Sequence, residues 1–268
     1  MITSTSNSHI KAVRKLSDSK ERAATGNFLV EGLRVVGQAF DSKAQIIELI
    51  YSEELLISEY GLNLVGKAKY EDISTTEVSA AVFESLARKD NPQGIAAIVR
   101  QNWQHRSSLK TLASGTIIAL ESVQNPGNLG TILRTCDAVA AKGLILLDQS
   151  TDPYDPVAVK ASMGAIFTVP VFRSDYLDLK TFLDGNSNLN AIGTSDKATK
   201  NVFDAIFPDP LLLLMGSERE GLSKHYAELC KFMVSIPMLG ACDSLNLSVA
   251  TGVILYQILH QHNKKAYQ

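Results

Sequence analysis

Three separated motifs in the second half of the chain carry polar residues whose types and spacing suit binding and chemistry. The first reads Asn-Pro-Gly-Asn-Leu-Gly-Thr from Asn125 to Thr131, and Arg134 follows six residues after Asn128. A predicted strand precedes it and a predicted helix opens within it, so free backbone N–H groups and the helix dipole favour an anion there. Asn128 equally suits a simple helix N-cap, and a lone helical arginine equally suits solvated surface. The motif lacks the Gly-Lys-Ser/Thr of a P-loop and the GxGxxG of a dinucleotide site.

The second motif follows a strongly apolar segment that ends at Met215. Gly216-Ser217-Glu218 comes directly after it, and Gly221-Leu222-Ser223 leads into a predicted helix. A glycine at the carboxyl end of a strand lets a ligand approach the backbone, and open α/β sheets bind their ligands at that edge. A plain strand–turn–helix connection with a capping acid is the alternative.

The third motif starts where a predicted strand stops at Ile236-Pro237. A loop follows, and Ser244-Leu245-Asn246-Leu247-Ser248 opens the last predicted helix. Ser244 or Asn246 would serve as an ordinary cap for that helix, and Pro237 explains the end of the strand without any function.

The elements that must position these motifs read as an α/β domain. Continuous apolar segments such as Thr116–Leu120 and Leu211–Met215 alternate with helical patterns, which is typical of a parallel sheet covered on both faces. Ile166–Pro170 reads as one more strand, and Leu247–His260 as a long final helix.

The N-terminal region predicts a smaller α/β layer. Residues 7–25 suit short helices and Ile46–Tyr51 a strand, whereas Ser52–Glu59 and Thr75–Leu86 suit helices. The polar stretch Gln101–Ser114 indicates a linker, in which Trp103 is expected to anchor packing. We therefore expect a domain of residues 1–106 and a second domain of residues 107–268.

Composition restricts the class of protein. The 268 residues are 45% apolar and 20% charged, with a net charge of −2, which is an ordinary globular balance and not that of an overtly basic nucleic-acid binder. Between His9 and Arg22, the sequence has five basic residues and only two acidic ones. This excess suits either phosphate contacts or a solvated amphipathic helix.

Sparse cysteines and histidines predict no disulfide framework and no metal site. Reduced thiols, the lack of an apolar leader and the lack of a membrane-length apolar segment together favour a cytoplasmic location.

Together and in this order, the three motifs resemble the SpoU family of RNA ribose 2′-O-methyltransferases, within the SPOUT (α/β-knot) superfamily. The resemblance covers about residues 115–262 and rests on Asn128 with Arg134, Gly216-x-Glu218, and Ile236-Pro237 with Ser244-Leu245-Asn246-x-Ser248. More weakly, the first 100 or so residues resemble the small ribosomal-protein-like α/β domain that many members carry for substrate binding, with Phe28-Leu29-Val30-Glu31-Gly32 as the clearest part.

The resemblance implies a parallel sheet with helices on both faces and a deep trefoil knot, S-adenosylmethionine as cofactor, no catalytic metal, and a homodimer formed through the knotted domain. It implies cofactor contacts from five residues: Thr194, Gly216, Ile236, Met238 and Leu245. It implies a catalytic group in which Arg134 acts with four residues that orient it and the ribose: Asn128, Glu218, Ser244 and Asn246.

The expected function is methylation of a ribose 2′-hydroxyl in structured RNA, with ribosomal RNA favoured. Transfer RNA is one alternative, and a non-catalytic RNA-binding or ribosome-assembly protein with a degenerate methyltransferase domain is another. A nucleotide-dependent doubly wound enzyme is disfavoured, because both phosphate-binding fingerprints are missing. Arginine stays protonated in proteins, so we favour a role for Arg134 in clamping phosphate and stabilising the alkoxide over a role as base. The segment Lys11–Arg22 and Arg34 are the expected phosphate contacts.

Overall fold

The computed structural model describes residues 1–87, 91–112 and 114–266. Its α-helices are α1 (Ser8–Lys15), α2 (Ser19–Thr25), α3 (Leu33–Asp41), α4 (Glu59–Tyr70), α5 (Ala80–Leu86), α6 (Pro126–Ala138), α7 (Pro156–Ser162), α8 (Tyr176–Asp184), α9 (Lys224–Ala227) and α10 (Leu247–Ala266). Its strands are β1 (Asn27–Glu31), β2 (Ile46–Tyr51), β3 (Ser74–Glu77), β4 (Ile95–Arg100), β5 (Trp103–Gln104), β6 (Thr116–Glu121), β7 (Gly143–Leu147), β8 (Val171–Ser174), β9 (Asn190–Thr194), β10 (Leu211–Met215) and β11 (Phe232–Val234). Short 3₁₀ helices cover Arg106–Leu112 and Ala165–Phe167.

The chain forms two compact units. The first comprises Met1–Asn102 together with Tyr154–Phe167, and the second comprises Trp103–Pro153 together with Thr168–Gln268. The segment Tyr154–Phe167, which includes α7, therefore belongs to the first unit although it comes from the second half of the sequence.

The first unit has a four-stranded sheet in the order β1-β4-β2-β3. β4 pairs antiparallel with β1 and β2, and β3 adds to β2 in parallel. The helices α1 and α5 cover this sheet through an apolar cluster that includes Ile10, Val13, Val82 and Phe83. α7 packs on β1 within the same unit.

The second unit has a seven-stranded sheet in the order β11-β9-β10-β6-β7-β8-β5, and every pairing in it is parallel. All residues of β7 and β10 are buried, as are all but the first residue of β6. Strands buried along their whole length have no solvent-facing side, which explains their continuous apolar sequences. The predicted α/β class with a parallel sheet is confirmed.

Three predicted elements are wrong in detail. Residues 75–77 pair with β2 as part of β3, and the helix starts only at Ala80, where the Ser79 hydroxyl caps it. Two successive β-branched threonines suit a strand edge better than a helix start. The helix expected over residues 52–59 lies instead at Glu59–Tyr70, after the Ser58 cap. The strand expected over residues 166–170 starts after Pro170, because proline lacks the N–H that a ladder needs.

The expected linker is more ordered than its polar sequence indicates. Trp103 and Gln104 extend the large sheet as β5, beside β8. The guanidinium carbon of Arg173 lies 4.6 Å from the centroid of the Trp103 ring, so this tryptophan does anchor packing in the second unit. All three cysteines are free thiols. Within the described ranges, no helix is both long and apolar enough to cross a bilayer.

Candidate active site at the carboxyl edge of the parallel sheet

The three motifs meet in the second unit because its strands run parallel. β6, β9, β10 and β11 all end at one edge of the sheet, and each motif begins where one of these strands stops. This edge is where open α/β sheets bind ligands.

The start of α6 shows that Asn125, and not Asn128, is the helix cap. The side-chain oxygen of Asn125 accepts hydrogen bonds from the backbone N–H groups of Gly127 (2.8 Å) and Asn128 (3.2 Å), and Pro126 occupies the first turn. The side chain of Asn128 is therefore not needed for capping. It is buried and is used elsewhere.

Glu218 binds the first motif from the loop after β10. Its Oε1 accepts a hydrogen bond from Asn128 Nδ2 at 3.0 Å, and its two carboxylate oxygens face the backbone N–H groups of Gln124 (3.4 Å) and Asn125 (3.5 Å). Burial acts to raise the pKa of Glu218, but these hydrogen bonds outweigh it and hold that pKa below the usual value of a glutamate. Glu218 is thus a carboxylate at neutral pH, which suits a fixed acceptor and not a proton donor.

Asn246 brings the third motif into the same network. Its Nδ2 donates to Asn128 Oδ1 at 3.0 Å, while its Oδ1 accepts from the Ser248 backbone N–H (2.9 Å) and hydroxyl (2.7 Å). Asn246, and not Ser244, therefore caps α10. Because Glu218 accepts and Asn246 donates, both ends of the Asn128 amide have a fixed partner and its orientation is determined.

Gly216 is required by the chain itself. A Cβ atom at this position would lie 1.9 Å from the carbonyl carbon of Gly221 and 2.0 Å from the nitrogen of Leu222. Ser217 and Gly221 exchange two backbone hydrogen bonds of 3.1 Å, which closes the loop that presents Glu218. The fold of the loop itself therefore requires glycine at this position, and the expected contact of the cofactor with Gly216 stays a prediction.

Arg134 lies apart from this network. It is exposed on α6 and forms no hydrogen bond or ion pair within the described residues. Six residues after Asn128 on a helix correspond to a rise of about 9 Å and a different face. The structure thus brings together Asn128, Glu218 and Asn246 of the predicted catalytic group, whereas Arg134 and Ser244 stand outside it. The hydroxyl of Ser244 donates to the Asp243 carboxylate at 3.4 Å and to no other described residue.

The residues predicted to contact the cofactor surround the ends of the neighbouring strands. Thr194 ends β9 and pairs with Val234 of β11, and Ile236 is half-buried just beyond β11. Met238 and Leu245 expose 36% and 38% of their surfaces in the loop of the third motif. The backbone N–H groups of residues 238–245 donate no hydrogen bond within the described part of the chain. Apolar side chains beside available backbone donors and acceptors fit a flat heteroaromatic ring with a polar edge.

Sequence reasoning missed two residues that hold the loops of this site. Gln124 Nε2 donates to the carbonyl oxygens of Ser122 (2.9 Å) and Gln149 (3.0 Å), and Glu121 Oε2 accepts from the Ser223 backbone N–H at 2.8 Å. Glu121 is a buried carboxylate at the end of an otherwise apolar strand. That contrast was the signal in the sequence that could have identified it.

One group of metal-ligand type lies near this edge. Ligand atoms of Glu121, Asp148 and His225 lie within 4.8 Å of one another. Glu121 already accepts a hydrogen bond from Ser223, and His225 Nδ1 lies 3.2 Å from the Ser223 hydroxyl. These contacts fix the start of α9, and we assign the group that structural role.

The basic segment of the first unit is only partly available to phosphate. Arg22 is 1% exposed. Its guanidinium donates to the carbonyl oxygens of Leu16 (3.1 Å) and Ser17 (2.9 Å) and lies 3.5 Å from the Asp155 carboxylate. Arg22 is thus a structural residue and cannot be the phosphate contact we expected. The exposed cations of this region are Lys11, Lys15, Lys20 and Arg34.

The fold and site define a ligand-binding parallel α/β domain joined to a small α/β domain, and comparison with known proteins identifies the family. Residues 115–256 match the model of the SpoU rRNA methylase family, and residues 7–97 match the MRM3-like substrate-binding domain. The chain belongs to the SpoU rRNA methylase family, as its motifs predicted.

Similar proteins extend over nearly the whole chain. The 23S rRNA (uridine(2479)-2′-O)-methyltransferase of Streptomyces viridochromogenes is 29% identical over 92% of this chain and 87% of its own length. The 23S rRNA (guanosine(2553)-2′-O)-methyltransferase RlmP of Bacillus subtilis is 26% identical over 96% of this chain and 98% of its own. The crystal structure of an AdoMet-bound rRNA methyltransferase from Sinorhizobium meliloti is 32% identical and superposes with a TM-score of 0.87 over 97% of both chains.

Proposed function

We propose that this protein transfers a methyl group from S-adenosylmethionine to a ribose 2′-hydroxyl of ribosomal RNA. The observation that carries the proposal is the Glu218–Asn128–Asn246 hydrogen-bond chain, which joins all three motifs at the ligand-binding edge of the sheet. Full-length similarity to rRNA 2′-O-methyltransferases supports the substrate class, and similarity to the AdoMet-bound structure supports the cofactor.

The cofactor, when bound, supplies an electrophilic methyl group on a sulfonium. Thr194, Gly216, Ile236, Met238 and Leu245 are the residues we expect to hold it. Their contribution is apolar surface at Met238 and Leu245 together with backbone polar groups at the ends of the strands. We further expect the loops of this edge to form the deep trefoil knot of the family.

The ribose hydroxyl is a very weak acid, so the chain must position it and help with its proton. Arg134 is exposed and forms no hydrogen bond or ion pair with the described residues, which suits a group that acts on a ligand. A guanidinium stays protonated, so we infer that Arg134 clamps the adjacent phosphate and stabilises the developing alkoxide.

Asn128, Glu218 and Asn246 act together on the reacting ribose. Because both ends of the Asn128 amide are held, the polar groups at this edge are fixed before the substrate arrives, which reduces reorganisation during the reaction. Ser244, on the exposed loop, is expected to contact the ribose only when RNA is bound.

We expect residues 1–106 to bind the RNA and residues 107–268 to bind the cofactor. Exposed cations of the first unit, Lys11, Lys15, Lys20 and Arg34, are the expected phosphate contacts. Because ribosomal RNA is the proposed substrate, we expect a cytoplasmic location.

We also propose a homodimer formed through the second unit. α10 exposes Val249 (51%) and Tyr256 (54%), and a segment hydrogen-bonded to α10 through Gln261 exposes Phe203 (52%) and Ile206 (75%). Clustered exposed apolar side chains are typical of an interface, and we expect these four to contribute to it. Light scattering should show a dimer for the wild type, and a monomer after Val249→Asp with Tyr256→Asp. A monomeric wild type would contradict the proposed interface.

The substrate is tested by incubating the protein with tritiated S-adenosylmethionine and either ribosomal or transfer RNA transcripts. We expect incorporation into ribosomal RNA alone. Incorporation into transfer RNA alone would replace the proposed substrate, and no incorporation with either RNA would favour a non-catalytic RNA-binding protein.

A further inference from the structure

The first unit contains a cavity of about 250 Å³ between the end of α3, the end of β4 and the segment Tyr154–Phe167. It is smaller than the ~300–1,000 Å³ pockets that hold whole drug-sized ligands, so its size suits one small planar group. Sequence reasoning gave no sign of it, because its walls come from three distant parts of the chain.

The cavity wall is cationic. Lys43 and Arg100 line it with exposed side chains, and no carboxylate residue is among the residues that line it. The ammonium of Lys43 forms no hydrogen bond or ion pair within the described residues. Among the described residues, the guanidinium of Arg100 has one partner, the carbonyl oxygen of Thr25 at 2.8 Å. Two cations without a carboxylate partner favour an anionic ligand, and phosphate is a common one.

The floor of the cavity is aromatic. The ring centroid of Phe28 lies 4.7 Å from that of Tyr154 and 6.1 Å from that of Phe167. Phe28 and Tyr154 are buried, whereas Phe167 is half-buried and lines the cavity. Aromatic rings beside cations are the usual surface for an unstacked base of single-stranded RNA. The amide of Gln45, also in the lining, provides both a donor and an acceptor for a base edge.

We propose that this cavity binds one unpaired nucleotide of the RNA substrate, with the base against Phe167 and the phosphate at Lys43 and Arg100. This inference rests on the proposed function, since it names the part of the RNA that the first unit holds. Duplex RNA is recognised by groove shape and backbone contacts and presents no free base, so the cavity predicts a preference for single strands.

Lys43 offers a variant that removes the charge without damaging the fold. It has a φ of 54° and follows α3 in a Schellman motif, in which its N–H bonds to Phe40 O and the next N–H, that of Ala44, bonds to Ala39 O. Glycine is the preferred residue at this position. Lys43→Gly should therefore fold at least as stably as the wild type.

Asp72 is the matched control. Asp72 has a φ of 55° after α4. Its N–H bonds to Lys69 O, and the next N–H, that of Ile73, bonds to Ala68 O. Asp72 does not line the cavity. Asp72→Gly changes the same kind of backbone position in the same unit. Lys20→Ala controls for the loss of one surface cation.

The experiment measures fluorescence anisotropy of a single-stranded oligoribonucleotide and of a blunt RNA duplex of equal length, across a salt series. Lys43→Gly should weaken single-strand binding about three- to tenfold and reduce the salt slope by about 0.7. Phe167→Leu should weaken it at least about fivefold. Asp72→Gly should leave binding within twofold, and Lys20→Ala should affect single strand and duplex alike.

Unchanged single-strand affinity and slope in Lys43→Gly, or equal losses for single strand and duplex, would overturn the proposed nucleotide site. Methyl transfer is measured on the same preparations. A wild type that transfers no methyl group would refute the proposed function, whereas the oligonucleotide comparison would still decide the role of the cavity.

Discussion

Asn128 Nδ2 donates a hydrogen bond of 3.0 Å to Oε1 of Glu218, a residue 90 positions further along the chain. The same amide accepts from Asn246 through its oxygen. One side chain on α6 therefore ties the loop after β10 to the start of α10, and the stability of the site depends on it.

Asn128→Ala should lower the free energy of unfolding by about 1–3 kcal/mol, because two hydrogen bonds are lost and the polar groups that made them are left without a partner. The melting temperature should fall by roughly 2–4 °C per kcal/mol for a unit of this size. Asn188→Ala is the control, since that side chain is exposed and forms no hydrogen bond within the described residues. Equal melting temperatures for the two variants would contradict the account of the network.

Glu218→Gln should alter how stability depends on pH. The pKa of Glu218 is lowered in the folded protein, so its ionised form stabilises the fold above the unfolded value of about 4.5, and that contribution is lost as the pH falls through the folded pKa. The melting temperatures of wild type and Glu218→Gln should differ at neutral pH and converge in acid. A difference that stays constant across this range would exclude the proposed role of the carboxylate.

Gly216→Ala should disrupt the second motif, because the added methyl group would overlap the backbone of Gly221 and Leu222. We expect destabilisation of several kcal/mol or a displaced loop, with loss of cofactor binding measured by calorimetry. Gly66→Ala is the control: its Cβ would meet nothing within 4 Å, and alanine in a helix interior should stabilise by up to about 1 kcal/mol. Normal cofactor affinity in Gly216→Ala would show that the loop tolerates the overlap.

The sequence predicted those features that depend on neighbouring residues in the chain. It failed for features that depend on residues distant in the sequence. Motif order identified the family, and apolar patterning located the buried strands β6 and β10. Patterning failed at residues 75–77, because the partner strand that makes them β3 is distant in sequence.

The same limit applied to individual side chains. Arg22 looked like a phosphate contact because its sequence neighbours are charged, whereas its burial depends on Asp155, which lies far along the chain. Gly216 was recognised as special from its place at the end of a strand, but only the folded loop shows that the returning backbone of Gly221 and Leu222 leaves no room for a side chain there. The Lys43–Arg100–Phe167 cavity had no local sequence signal at all.

Arg22→Met should destabilise the first unit and leave its RNA contacts intact. Lys20→Ala should weaken RNA binding and leave the stability of the first unit unchanged. Removing Arg22 leaves two carbonyl groups and the partly buried Asp155 without their cation, and leaving buried acceptors without a donor costs about 1–3 kcal/mol. Thermal unfolding and RNA binding, measured below the transition of Arg22→Met, separate the two effects. Weaker RNA binding in folded Arg22→Met, with unchanged stability, would restore its assignment as a phosphate contact.

The central claim, methyl transfer to a ribose hydroxyl with the help of Arg134, is tested most directly by nucleoside mass spectrometry. Ribosomal RNA is incubated with S-adenosylmethionine and either the wild type or Arg134→Ala, and is then digested. We predict one new 2′-O-methylated nucleoside with the wild type. With Arg134→Ala we predict none, while cofactor affinity stays within a few-fold and the melting temperature is unchanged, since Arg134 is exposed and has no partner in the part of the chain that the structure describes. A base-methylated nucleoside, no modification by the wild type, or full turnover by Arg134→Ala would contradict the account.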